Sequence, residues 1–304
     1  LSLAFVGISL ACCGEKQTRP AVVKQLNIYR DSFKFYLNSD LERSRHFAHL
    51  ARALADSTET DSLIIPSLIN RGIVSMISND FEEALTYYDS VLYHPDIEKY
   101  PKYRILALSQ KGTTYHYKTD FDSSEAVYRQ LLGDKQLNGE GAANNSLNFG
   151  AMLMTKKDFG QAISAFHIAD SLMQLGHGTE QDRFILLANM AGANLNLHNF
   201  ERAARNYWMV LPLTKTPERL SYTSFVYNSL AHCYISMDSL LIVPALLDSA
   251  SVNNKEDQIQ KAITCIRRSD YFNAVENYQS ALPHCQKAFE ILTNLQDKYY
   301  LVYC

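Results

Sequence analysis

The residues of this 304-residue chain whose types could do chemistry are few and dispersed. His46 and His49 put two imidazoles on one helical face, as a metal pair would need. However, no glutamate adjoins them in an H-E-x-x-H arrangement, and no third ligand lies near in sequence. They read as solvated or core-edge histidines. Gly139-Glu140-Gly141 falls in an expected connection, Gly133 to Ala142, with no preceding strand and no third glycine, so it is no phosphate cradle. Asp-Ser pairs such as Asp56-Ser57 and Asp238-Ser239 suit helix caps and turns, and nothing resembles a nucleophile elbow. Cys233, Cys265, Cys285 and Cys304 show no C-x-x-C pairing and read as small apolar residues. The expectation is a protein that is not an enzyme and needs neither metal nor cofactor.

The elements that carry these residues are expected to be helical. A composition 47% hydrophobic and 20% charged, with 8 prolines, suits a well-packed helical protein without long disordered tracts. A formal net charge of -3 and the absence of a basic run argue against direct nucleic-acid contact. Leu1 to Ala11 is apolar but too short to span a bilayer, and Cys12-Cys13-Gly14 follows at once. This segment, residues 1–13, resembles a bacterial lipoprotein signal, in which a cysteine is lipidated and becomes the first mature residue. Cys13 has Leu10 and Ala11 in favoured places but Cys12 before it; Cys12 has Ala11 before it but Ser9 where leucine is usual. The resemblance implies a membrane anchor of more than one acyl chain and a place in the bacterial cell envelope, periplasmic or surface-exposed. The alternative is a buried N-terminal helix.

One phrase sets the register of the rest. Phe159, Ala162, Phe166 and Ala169 share one helical face, and the alanines leave room for a close neighbour. The pattern returns as Phe81, Ala84, Tyr88, Val91, as Phe121, Ser124, Tyr128, Leu131, and as Phe200, Ala203, Tyr207, Val210. Nine residues before each leading aromatic stands a small residue: Gly72, Gly112, Gly150 and Ala191. Ala231 continues the series into a degraded copy with Leu240, Val243, Leu247 and Ala250. Asp40 to Ala55 is a weak first copy preceded by a helix over Val22 to Leu37. In the last copy two registers match, Tyr271, Ala274, Tyr278 and Ala281 or Tyr278, Ala281, Cys285 and Ala288; the second is favoured because it places Ser269 at the small position and Pro283 in a first helical turn. Asp297 to Cys304 reads as the opening of another first helix, from which a truncated chain is expected.

This pattern resembles the tetratricopeptide repeat family over roughly Asp40 to the end, although its spacing of 38 to 41 residues exceeds the usual period of about 34. The longer period implies longer helices or connections, such as His94 to Lys102, where Pro95 and Pro101 fit a helix-ending loop. The resemblance implies an all-α, right-handed superhelical solenoid of about six antiparallel helix pairs over residues 20–304, whose first helices line a concave groove. Two residues before each small residue stand Asn70, Gln110, Asn148, Asn189 and Ser229, all polar. In some family members an asparagine ladder at this place holds an extended peptide by its backbone, because a carboxamide matches both amide and carbonyl. The alternative is that these groups face water or tie neighbouring helices together. Ile73, Met76, Thr113, His116, Tyr117, Met154 and His232 would supply side-chain pockets. The expected function is protein or peptide binding. A rival from another class is the sensor portion of a membrane-linked helix-turn-helix transcriptional regulator.

Overall fold

The computed structural model describes residues 20–216, 219–254 and 257–301, so Leu1 to Cys13 and Cys304 lie outside the described residues. Among the described residues the chain is helical throughout and contains no strand. Helices pair in chain order: α1 (Pro20–Tyr36) with α2 (Leu41–Asp56), α3 (Asp61–Ile77) with α4 (Phe81–Leu92), and α5 (Pro101–Tyr117) with α6 (Phe121–Leu132). Next come α7 (Gly139–Thr155) with α8 (Phe159–Gln174), α9 (Glu180–Asn196) with α10 (Phe200–Val210), and α11 (Leu220–Ser236) with α12 (Val243–Asn253). The last pair is α13 (Gln258–Ala274) with α14 (Tyr278–Asn294), followed by the short α15 (Lys298–Leu301). The result is an all-α solenoid of antiparallel helix pairs. It forms two compact units, Leu1–Leu131 and Leu132–Cys304.

Each first helix from α1 to α13 is 17 residues long, which accounts for much of the long period. The small residue of the first helix meets the second aromatic of its partner. A Cβ on Gly72 would lie 2.5 Å from the Tyr88 ring, and one on Gly150 would strike the Phe166 ring. Both rings are fully buried. Close approach of the backbone therefore makes room for a large ring, which buries apolar area at roughly 25 cal/mol per Å2. Where serine replaces the first alanine it bonds back to the first helix: Ser124 Oγ donates to the Gly112 carbonyl at 2.8 Å, and Ser44 Oγ to that of Phe33 at 3.0 Å.

The turn inside each pair is also repeated, and by residues that conceal it. Asn79, Thr119, Lys157, His198, Asp238 and Glu276 all have φ between 55° and 66°. Each stands two residues before the leading position of the repeat pattern, Phe81, Phe121, Phe159, Phe200, Leu240 and Tyr278 in turn. Such a residue costs about 1–2 kcal/mol in the left-handed region. Offsetting this, the next amide reaches back to end the first helix, as Asp158 N does to the Leu153 carbonyl at 2.9 Å. The same residue then caps the second helix, its Oδ1 accepting from Gln161 N at 3.1 Å.

Three expectations require correction. Gly139-Glu140-Gly141 is not part of a connection; it is the first turn of α7, because Asn138 Oδ1 accepts from Gly141 N at 2.7 Å and starts the helix there. Pro283 is not in a first turn. Asn277 caps α14 through Ser280 N, so the proline sits in the second turn and the helix continues through it. Pro101 does not end a helix in the connection before α5; it occupies the first position of α5, where its missing N–H costs nothing. The degraded copy opens on a 3-10 turn, Leu240–Ile242, before α12 begins. The chosen register of the last copy matches α13 and α14.

Candidate binding site on the first helices

In the first unit, Asn70 on α3 and Gln110 on α5 are half-buried. Ile73 on α3 is half-buried and packs against the cluster of Phe33, Ala48 and Val74. Met76 packs in the neighbouring core, and Thr113 shares a 2.9 Å hydrogen bond with the Tyr128 hydroxyl. Tyr117 is 61% exposed and stacks on His116, with ring centroids 5.7 Å apart. His46 and His49 are exposed on α2, and His49 borders a small cleft with Arg45 and Arg71.

In the second unit, Asn148 on α7 is exposed, while Asn189 on α9 and Met154 on α7 are half-buried. Met154 Cε lies 3.6 Å from where a Cβ on Gly192 would stand, so it packs across to α9. The carboxamides of Asn70, Gln110, Asn148 and Asn189 have no hydrogen-bond partner among the described residues. They do not tie neighbouring helices together. Ser229 differs in being buried, at 8% exposed.

Ser229 and His232 open onto a cleft of about 770 Å3 formed by α9, α11, α13 and α15. A cavity of this size is in the range that holds small ligands or short peptide stretches. Its apolar wall includes Phe225, Ile263 and Ile266. Its charged side chains are Arg267 and Asp270, paired at 2.7 Å one turn apart on α13. Burial, and after it the neighbouring Arg267 and His198, lowers the His232 pKa to about 4, so the imidazole is neutral at ordinary pH. The arginine and the aspartate of the lining are thus paired with each other.

The cleft also contains a residue that sequence reasoning missed. Asn228, on α11, is 1% exposed; its Nδ2 donates to Gln260 Oε1 at 3.2 Å, while its Oδ1 has no partner among the described residues. It stands three residues before the small Ala231. The same place elsewhere holds Ile69, Ser109, Leu147, Ala188 and Ile266. That comparison was the available signal, since a carboxamide stands where apolar or small residues otherwise sit.

No metal cluster of three or more histidine, cysteine or acidic side chains occurs among the described residues. Cys233 and Cys265 are buried, and burial pushes their thiols up, that of Cys233 to about 12. Neither has the character of a nucleophile.

No family model and no curated protein matches the chain. Solved structures do. The apo form of RapI is similar with a TM-score of 0.72 and 16% identity, covering 92% of this chain and 79% of that one. A tetratricopeptide repeat protein from Parabacteroides merdae gives 0.53 and 16%, covering 93% and 98%. A Rap protein complexed with competence and sporulation factor gives 0.52 and 13%, covering 92% and 79%. At these identities the likeness is one of fold, and the fold of this chain is that of a tetratricopeptide-type solenoid.

Proposed function

We propose that this protein is a non-enzymatic scaffold that binds a protein or peptide along its first helices. The observation that carries the reading is the set of unpartnered carboxamides, Asn70 and Gln110 in the first unit and Asn148 and Asn189 in the second. Each leaves a donor and an acceptor for a peptide backbone. The Rap protein complexed with competence and sporulation factor is an instance of this fold carrying a bound factor. Asn148→Ala combined with Asn189→Ala should weaken binding of peptides selected from a random displayed library by about tenfold, two neutral hydrogen bonds being worth about 1–3 kcal/mol. Helical circular dichroism should not change. Undiminished binding would remove the carboxamide series from the interface.

The same reading places the protein in the bacterial cell envelope as a periplasmic or surface lipoprotein, anchored through Cys12 or Cys13. What supports it is the apolar run Leu1 to Ala11 ending at the cysteine pair. Changing both cysteines to serine should move the protein from the membrane to the soluble fraction. Continued membrane retention would count against lipidation.

A further inference from the structure

We infer that the cleft of α9, α11 and α13 takes an uncharged stretch of peptide, with Asn228 Oδ1 accepting an N–H of that peptide and selecting against anionic ligands. This deepens the proposed binding along the first helices and rests on it.

The fold does not need a carboxamide at Asn228. Ile69, Leu147 and Ile266 occupy the equivalent place on α3, α7 and α13 and are all buried. An acceptor buried without a partner costs free energy that leucine would not. Asn228 pays half of that cost back through Gln260, which holds the Nδ2 side, and its buried Oδ1 stays without a partner among the described residues in a side chain that lines the cleft. A group that donates a hydrogen bond satisfies it; a carboxylate does not.

Charge gives the second half of the argument. The cation in the lining, Arg267, already holds Asp270 at 2.7 Å, and both lie on α13. A ligand carboxylate would have to displace Asp270 and leave it beside a like charge, whereas a neutral peptide leaves the pair intact. Phe225 from α11 and Ile263 and Ile266 from α13 supply an apolar wall for one side chain. A neutral backbone with an apolar side chain answers all three features, and neither a phosphate nor an acidic terminus does.

The test uses the whole chain and a random hexapeptide library with acetylated N-termini and amidated C-termini, screened beside the same library with free carboxylates. Selected peptides should be uncharged and come from the amidated pool, and 0.5 M salt should leave their affinity nearly unchanged. Asn228→Leu should weaken them about tenfold while its melting temperature stays level or rises. Asn228→Ala, which installs the residue α9 carries at Ala188 and leaves no acceptor, gives the same loss of affinity should the leucine disturb packing. Selection of acidic or free-carboxylate peptides that salt releases would overturn the inference in favour of Arg267-directed anion capture. Peptides that bind Asn228→Leu as well as wild type, yet are lost on Asn148→Ala with Asn189→Ala, would overturn the cleft and spare the carboxamide series. No binder in either pool would overturn both.

Discussion

The pairs α7–α8 and α11–α12 share a backbone plan and fill it differently. In the first, Gly150 faces Phe166, and Phe159, Ala162 and Ala169 complete the pattern. In the second, Ala231, Val243, Leu247 and Ala250 hold the corresponding places, all with relative exposures of 1% or less. Glycine with a ring has become alanine with leucine, and a small residue on the second helix has become valine. What this pair keeps is a small residue packed against a large buried one at the crossing, without the aromatic. This is why the solenoid continues through a copy whose sequence pattern is nearly erased.

That comparison can be broken by moving one pair toward the other. Gly150→Ala alone should cost about 1–3 kcal/mol in urea unfolding, because the new methyl meets the fully buried Phe166 ring and close-packed interiors absorb extra volume poorly. Phe166→Leu alone should also destabilise, by leaving a void. Together they recreate the Ala231–Leu247 combination, and the double variant should be more stable than the sum of the singles implies, with a coupling of about 0.5–3 kcal/mol. Strict additivity would show that the two crossings are not equivalent.

The contrast also explains what was legible beforehand. Gly72, Gly112 and Gly150 could be read because each contact pairs two residue types at a fixed interval, so local sequence carries a three-dimensional fact. The turns could be located but not described. Their left-handed residues are Asn79, Thr119, Lys157, His198, Asp238 and Glu276, none of them glycine, since the closing backbone hydrogen bond that follows each one offsets the backbone strain. Gly139 and Gly141 suggested a loop by composition, and a single cap at Asn138 overrode them. The carboxamide positions were legible from the register, but whether each is taken is a matter of distant partners. Ser229 is buried, and Asn228 is half-satisfied by Gln260, 32 residues away.

The smallest expected effect separates the two pairs by pH. At the position after the small residue, α7 carries Ala151 and α11 carries His232. In the unfolded chain a histidine takes up its proton near the ordinary value of 6.5, whereas folded His232 resists until about 4, chiefly through burial and then through Arg267 and His198. Between those values the unfolded state binds more protons, so the stability present above pH 6.5 is lost progressively as the pH falls toward 4. The partly solvated ring should make this worth about 1–2 kcal/mol by pH 5 rather than the full linkage value. His116 and His284 are lowered by burial as well and act with the same sign, while the lowered carboxylates Glu83, Asp96 and Asp120 take effect only at more acid pH. The informative quantity is therefore the difference between wild type and His232→Ala in urea midpoints at pH 7.5 and pH 5. The alanine variant should lose less stability on acidification. Equal losses in the two proteins would mean that His232 is hydrated in solution, and that the cleft beside α11 is wetter than its packing implies.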